Sequence, residues 1–390
     1  MLSDIETERR ALALFRRALD TEQMDAAAFE AELTDADATV RARVHAMLDS
    51  HRNSNSRVES GWQTGYERVL PSKLGPYALT RELGRGGMGV VLLGERDVAG
   101  IRQRVAIKLV QPGRVGPERR LRFTLERELV ARLRHPHIAQ LLDGGEGPDG
   151  ELWYAMELVE GSALTVHCDE RRLGVRARVA LLIDLCEAVG HAHRHSILHR
   201  DIKPSNVLVT TDGVLKLIDF GIAKVLGGDQ GDLTLDAQPV TPRYAAPELS
   251  RGERSSTASD IWQLGAVAFE LLVGRPLRDG DELATSTPSA RARALGTAVA
   301  DAFGLEPAQL ALALRGDLDA IVMKSIRPEA DSRYASASEL AADLRAWLAS
   351  GPVAARNGER GYALRRLLGA HRWAVGFAAV ALVAVIGGGV

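Results

Sequence analysis

Cysteine, lysine and aromatic residues are all scarce in this sequence of 390 residues. Its two cysteines, Cys168 and Cys186, cannot build the disulfide framework of a small secreted domain, and they indicate a reducing compartment. The 49 basic and 51 acidic residues leave a net charge of −2, so no basic field points to a nucleic-acid partner. Hydrophobic residues make up 46% of the chain, which excludes wholesale disorder and predicts a buried core.

Lysine accounts for only six of the 49 basic residues, and the rest are arginine. The guanidinium group is a planar fork whereas the ammonium group is a compact point charge, so the two are not equivalent at a phosphate. A lysine inside a motif is therefore unusually informative in this chain.

The first 76 residues form two segments of different composition. Apolar residues at helical spacing, such as Leu14, Phe15 and Leu19, predict a small helical region over 1–52. The polar run that begins at Asn53 predicts a linker over 53–76. Charged residues interrupt the place where a signal peptide has its apolar core, so we expect no cleaved signal.

The last 18 residues, Trp373–Val390, carry no charge. As a helix they would extend about 27 Å, enough to cross the hydrocarbon core of a bilayer. The preceding segment, 351–372, is rich in arginine, which predicts that the chain before it lies in the cytoplasm. We therefore expect a single-pass protein of the cell membrane that contacts the lipid bilayer through this helix. A buried core helix is the alternative.

Between these ends, the pattern changes from strands to helices. The predicted elements are the strands Tyr77–Leu83, Val90–Arg96 and Arg104–Val110, a helix over 117–133, and strands near Ile138–Leu142 and Leu152–Val159. From Gly161 to Ala349 the pattern is mostly helical. This order predicts one domain over 77–350, with a strand-rich part followed by a helical part.

A glycine-rich run with the spacing GxGxxG, at 84–89, follows the first predicted strand. A dinucleotide-binding fold would continue with a helix, but here another strand follows. A glycine-rich hairpin lets backbone N–H groups cover phosphates without obstruction by side chains. The second match to this spacing, at 145–150, contains a proline and an Asp-Gly turn signal, and it predicts only a loop.

Lys108 lies at the end of the apolar run Val105–Lys108. A buried lysine needs a negative partner, and the phosphates of ATP together with a carboxylate would supply one. Glu126 in the predicted helix is the candidate carboxylate, and Glu128 is the second choice. The alternative is a lysine that reaches solvent from an edge strand.

Three motifs in a fixed order are the most specific feature of the sequence. They are His199-Arg200-Asp201-Ile202-Lys203-Pro204-Ser205-Asn206, Asp219-Phe220-Gly221 and Ala246-Pro247-Glu248. With them, residues 77–349 resemble the protein kinases, and in particular bacterial serine/threonine kinases of the eukaryotic-like type. The Ala/Arg-rich segment 275–316 is similar to an insert of membrane-anchored kinases that carry tetratricopeptide repeats.

The resemblance implies an α+β, two-lobed fold with a small β-rich N-lobe and a large helical C-lobe. It also implies ATP and Mg²⁺, or Mn²⁺, as cofactors and serine or threonine hydroxyls of proteins as substrates. Asp201 would orient the substrate hydroxyl, Lys203 would stabilise the transferred phosphoryl group, and Asn206 and Asp219 would hold the metal ion. The residues expected around ATP are Leu83, Gly84, Arg85, Gly86, Gly87, Met88, Gly89, Val90, Val91, Lys108, Glu126, Met156, Glu157 and Val159.

The segment after Asp219 is expected to regulate the site. Its Thr-Pro-Arg-Tyr run at 241–244 resembles that of serine/threonine kinases, although Val240 stands where glycine is common. Thr234 and Thr241 are predicted phosphorylation sites, with Arg200 as the docking point for a new phosphate. Self-association of anchored copies would let one molecule phosphorylate another.

Two structural roles also follow from the resemblance: Asp260 would brace the catalytic loop, and Arg333 would pair with Glu248. The alternative function is a pseudokinase scaffold, but such proteins lose the lysine, the base or the metal aspartate, and all of these are present here. A small-molecule phosphotransferase would lack the Ala-Pro-Glu motif. The histidines at 191, 193, 195 and 199 do not share one helix face, so we do not expect them to bind metal together.

Overall fold

The computed structural model describes residues 71–86, 89–110, 117–147, 150–221, 242–279, 282–283, 286–359 and 362. The chain divides into two compact units, Met1–Pro71 and Ser72–Val390, and the description below concerns the second. The predicted helical region 1–52, most of the linker, and the predicted membrane helix 373–390 lie outside the described residues. Within the described ranges, no helix is long and apolar enough to cross a membrane.

A six-stranded antiparallel sheet forms the N-lobe, with the strand order β1-β2-β3-β4-β6-β5. Its elements are β1 (Lys73–Leu74), β2 (Tyr77–Gly86), β3 (Gly89–Val98), β4 (Ile101–Val110), the helix α1 (Pro117–Ala131), β5 (Leu141–Glu146) and β6 (Leu152–Glu157). The predicted strand at 138–142 was placed too early, because Ile138 makes only an isolated bridge to Leu217. The second GxGxxG match, predicted as only a loop, begins within a strand: Gly145 and Glu146 end β5 and pair with Trp153 and Leu152 of β6.

The hairpin of β3 and β4 has an unbroken register from Gly89–Val110 to Val98–Ile101. Ala99 and Gly100 both have positive φ angles, 54° and 82°, which suits the tight turns that match the twist of a hairpin. This hairpin carries Lys108 to the centre of the sheet, where β4 also pairs with β6.

Helices and a small sheet form the C-lobe. In chain order its elements are β7 (Gly161–Ala163), α2 (Leu164–Glu170), α3 (Val175–Arg194), β8 (Val207–Thr210), β9 (Leu215–Leu217), α4 (Pro247–Ser250), α5 (Thr257–Val273), β10 (Arg278–Asp279), β11 (Glu282–Leu283), α6 (Pro288–Leu295), α7 (Thr297–Ala300), α8 (Pro307–Leu314), α9 (Asp317–Ser325) and α10 (Ala337–Leu348). The mostly helical prediction missed the three-stranded sheet β7-β8-β9, whose strands are only three or four residues long.

The helix α5 is the centre of the C-lobe core. A capping box between Ser256 and Ser259 begins it, and Gly274, in the left-handed conformation with φ 74°, ends it. Apolar side chains on nearly every face of this helix are buried, and Trp262 is 1% exposed. Asp260 lies in its first turn and is completely buried, so this charge must be satisfied by neighbouring groups.

Candidate active site

A cavity of about 670 Å³ lies between the sheet and the C-lobe. The predicted site residues that line it are Leu83, Gly84, Arg85, Gly89, Val91, Lys108, Met156, Glu157, Val159, Asp201, Lys203, Asn206 and Asp219. The prediction missed six others: Ala106, Leu158, Gly161, Ser205, Leu208 and Ile218. The period of two in a strand could have found Ala106, which shares a face of β4 with Lys108.

Five predicted ATP-binding positions are not among the lining residues: Gly86, Gly87, Met88, Val90 and Glu126. Val90 is buried, and it lies on the opposite face of β3 from Val91 because neighbouring side chains of a strand alternate. Gly86 ends β2, and Gly87 and Met88 lie outside the described residues, as do Thr234 and Thr241.

Gly89, which ends the glycine-rich run and begins β3, occupies a position that requires glycine. Its φ angle is +137°, and a Cβ atom added there would lie 2.0 Å from the carbonyl oxygen of Leu109. Any other residue would therefore force β3 and β4 apart at the cavity wall.

The catalytic loop brings together the three residues predicted to act on the substrate and its metal. Lys203 Nζ lies 2.9 Å from Asp201 Oδ2. Asn206 Nδ2 donates to the backbone oxygen of Asp201 at 2.8 Å and to its Oδ2 at 3.0 Å. Asp201 is 5% exposed, so these contacts hold a carboxylate in a defined orientation at the cavity floor.

Asp260 braces this loop, as the resemblance implied. The backbone N–H groups of His199 and Arg200 each donate to its carboxylate at 2.9 Å, and His193 Nε2 lies 2.8 Å away. Burial by itself raises the pKa of Asp260, but the hydrogen bond and charge of His193 and the nearby His199 bring it below its ordinary value. The negative charge therefore stays in place under the loop.

Gln263 is a second bracing residue, which the sequence analysis missed. Its side-chain oxygen accepts from Ile202 N at 2.8 Å, and its amide donates to the Arg200 oxygen at 3.3 Å. It lies three residues after Asp260, on the same face of α5. That spacing was the only signal in the sequence.

Lys108 contacts Asp219 rather than Glu126. Its Nζ lies 2.5 Å from both carboxylate oxygens of Asp219, and the Tyr154 hydroxyl donates to Oδ1 at 2.6 Å. Glu126 instead accepts from Arg200 Nη1 at 2.8 Å. The expected pair of Lys108 and Glu126 is thus wrong for this structure, because Lys108 pairs with the Asp219 carboxylate and Glu126 pairs with Arg200.

Glu248 and Arg333 form the buried pair that the resemblance implied. Arg333 Nη1 and Nη2 donate to the two carboxylate oxygens at 2.7 and 2.8 Å, and the Ser259 hydroxyl adds a bond of 2.9 Å. Burial favours a higher pKa for Glu248, but the hydrogen bonds from Arg333 and Ser259 hold it below its ordinary value. This ion pair joins the start of α4 to the segment before α10.

The residues at the cavity floor fit a divalent metal ion together with a nucleotide. Asn206 and Asp219 offer amide and carboxylate oxygens, the ligand type that Mg²⁺ prefers. Asp219 has a φ angle of +62°, unusual for a residue other than glycine, and this conformation turns its carboxylate into the cavity. In this structure the same carboxylate forms an ion pair with Lys108.

This combination of a glycine-rich hairpin, a lysine–aspartate contact and a braced catalytic loop defines a nucleotide-dependent phosphotransferase site. Residues 77–303 match the family described as "Protein kinase domain". The chain belongs to the protein kinase family.

The relatives are bacterial serine/threonine kinases. Over 347 residues the chain is 31% identical to the serine/threonine-protein kinase PknB of Mycolicibacterium smegmatis, covering 80% of this chain and 53% of the relative. It is 33% identical over 313 residues to PknB of Mycobacterium tuberculosis, covering 78% and 47%. The chain thus spans about half the length of the curated relatives it matches. The crystal structure of the Mycobacterium tuberculosis PknI kinase domain aligns with TM-score 0.54 and 30% identity, covering 70% of this chain and 96% of that one.

Proposed function

We propose that this chain is an active protein kinase that transfers the γ-phosphoryl group of ATP to serine and threonine hydroxyls of proteins, its own included. The observation that carries the proposal is the convergence of Lys108, Asp201, Lys203, Asn206 and Asp219 on one cavity. No pseudokinase substitution is present at these five positions.

The residues divide the work of phosphoryl transfer between binding and positioning. The hairpin at Gly84–Gly89 and Lys108 hold the phosphates, and Met156 to Val159 line the part of the cavity suited to the base. Asp201 orients the acceptor hydroxyl and takes its proton, and Lys203 offsets negative charge on the transferred group. A magnesium ion held by Asn206 and Asp219 would neutralise charge on the phosphate oxygens.

The variant Asp201→Asn tests this division. We expect it to abolish phosphoryl transfer while nucleotide binding persists, because Lys108 and the glycine-rich hairpin remain. The measurements are incorporation of labelled phosphate and nucleotide affinity with Mg²⁺, with Asp212→Asn, an exposed carboxylate in the turn after β8, as the matched control. If the variant transfers phosphate about as fast as the control, Asp201 does not orient the acceptor hydroxyl or take its proton.

A panel of acceptors separates the proposed function from its alternatives. Phosphate on serine and threonine of protein acceptors, and none on small alcohols or amines, is expected because the chain contains the Ala246–Glu248 motif and a long segment after Asp219. A wild-type chain that binds ATP but labels no acceptor would instead favour the scaffold.

We also propose that Trp373–Val390 tethers the kinase to a membrane with its catalytic domain in the cytoplasm. The uncharged run of 18 residues and the arginine-rich segment before it support this setting. Fractionation of cells that express the chain, or a version ending at Gly369, tests it. Equal solubility of the two would refute the tether. Confinement at a membrane would also raise the encounter rate of two copies and favour phosphorylation between them.

A further inference from the structure

Three ligand-type side chains meet at the rear of the kinase, away from the ATP cavity. His137 lies in the connection between α1 and β5, whereas Asp184 and Glu187 lie three residues apart on one face of α3. One ligand atom from each lies within 4.8 Å of the other two. All three are partly exposed, so a solvated ion could reach them.

The backbone fixes which nitrogen of His137 faces the carboxylates. Its Nδ1 lies 3.1 Å from the carbonyl oxygen of Leu215, which can only accept, so the proton of a neutral imidazole lies on Nδ1. Nε2, the ring nitrogen nearer to Asp184, then carries the lone pair. In metal sites, a metal-binding histidine usually donates a hydrogen bond from its other ring nitrogen to a carbonyl or carboxylate, which fixes the orientation of the ring.

The distances suit a metal ion better than a hydrogen bond. His137 Nε2 lies 3.7 Å from Asp184 Oδ1, beyond hydrogen-bond range. Zinc bonds of about 2.0–2.2 Å at the tetrahedral angle would separate two ligand atoms by about 3.4 Å. A small closing movement would therefore bring both atoms to a shared ion.

Negative charge is concentrated at this cluster, because Asp184 and Glu187 place two carboxylates beside His137. Arg345 donates to Oε1 of Glu187, and a carboxylate has two oxygens with about four lone pairs, so this contact does not exhaust it.

We propose that His137, Asp184 and Glu187 bind one divalent transition-metal ion, with Zn²⁺ the best match to a nitrogen and two carboxylate oxygens. Three protein ligands leave a fourth position for water. His137 belongs to the connection that follows α1, the helix that carries Glu126, so the ion would tie this connection to the C-lobe helix α3. The site is independent of the proposed kinase activity.

The histidine row on α3 is the competing site. His191 and His195 stack with a ring separation of 4.5 Å, and His135 stacks on His191 at 5.0 Å. His195 Nδ1 lies 2.9 Å from its own helix carbonyl at His191, and the row has no carboxylate ligand in the candidate set. A zinc ion bound there would depend on His195 and not on Asp184.

Calorimetric titration of the metal-stripped full chain with ZnCl₂, in excess Mg²⁺ to occupy the nucleotide site, tests the proposal. We expect one zinc ion in the wild type, about tenfold or greater weakening in His137→Gln and in Asp184→Asn, and unchanged affinity in His195→Gln. Zinc should also raise the melting temperature of the wild type but not of His137→Gln.

The folded state of each zinc-free variant is checked by circular dichroism before titration. X-ray absorption of the loaded chain should show nitrogen and oxygen neighbours and no sulfur. Absence of zinc binding in the wild type, or weakening only in His195→Gln, would overturn the assignment. Equal affinity in the wild type and in His137→Gln would do the same.

Discussion

The buried pair of Glu248 and Arg333 gives a stability prediction whose size follows from the structure. The Arg333 side chain has no exposed surface and the Glu248 side chain has 6%. Besides its two bonds to Glu248, Arg333 donates to the backbone oxygens of Arg327, Ala258 and Pro328 at 2.8, 2.8 and 3.0 Å. Removal of one partner leaves the other charge buried without its counterion, which costs about 3–5 kcal/mol.

We therefore expect Glu248→Gln and Arg333→Met each to lower the free energy of unfolding by about 3–5 kcal/mol. For a domain of this size such a loss corresponds to a fall in melting temperature of roughly 6–20 °C. The double variant should lose less than the sum of the two single losses, by a coupling energy of about 1–3 kcal/mol, because it leaves no unpaired charge. Urea denaturation of the four proteins measures this cycle.

The same pair predicts how stability depends on pH. The folded pKa of Glu248 lies below its ordinary value of 4.5, so its contribution is complete above that value. The contribution should disappear as the pH falls through the lowered folded pKa, and Glu248→Gln should lack this part of the acid sensitivity. Single variants within about 0.5 kcal/mol of the wild type, or strict additivity in the cycle, would refute the reasoning.

Three further predictions concern the site. Asp260→Asn should lower kcat by at least about tenfold, with a smaller effect on nucleotide affinity, because it weakens the hydrogen bonds from two backbone N–H groups of the catalytic loop. Steady-state kinetics with Asp212→Asn as the control measure this effect, and an unchanged kcat would contradict the prediction. Gly89→Ala should raise the KM for ATP, because the new Cβ atom would collide with the carbonyl oxygen of Leu109. Gly100→Ala should leave the KM unchanged, because the space around Gly100 is open. Equal KM values for the two variants would contradict the predicted collision. Thr234→Ala should reduce kinase activity if a phosphate on Thr234 binds Arg200. Mass spectrometry of the autophosphorylated chain shows whether Thr234 is modified. An unmodified Thr234, together with full activity of the variant, would exclude a regulatory role for this residue.

Local sequence motifs predicted the residues that share a short segment, and pairing across the fold was harder to foresee. Asp201, Lys203 and Asn206 lie within six residues, so one loop conformation brings them together. For Lys108 the sequence analysis considered Glu126 and Glu128, and spacing along the chain could not show that the distant Asp219 lies beside it instead. Tyr154 carried no motif, yet it contacts the same carboxylate.

The two lobes differ in how firmly they hold their part of the site. In the C-lobe, Arg200 and Asp219 keep positive φ angles of 67° and 62°, conformations that cost about 1–3 kcal/mol each. Hydrogen bonds lie next to both positions: Arg200 N donates to the Asp260 carboxylate at 2.9 Å, and Gly221 N, two residues after Asp219, donates to the His199 oxygen at 3.0 Å.

The N-lobe part of the site is joined to the C-lobe by two ion pairs. Lys108 contacts Asp219, and Arg200 contacts Glu126. A pair of Lys108 and Glu126 would require Lys108 to leave Asp219, so the position of α1 would be linked to the contacts of the Asp219 carboxylate. A metal ion held by Asp219 would compete with Lys108 for this carboxylate, and metal binding would therefore weaken the present Lys108–Asp219 contact.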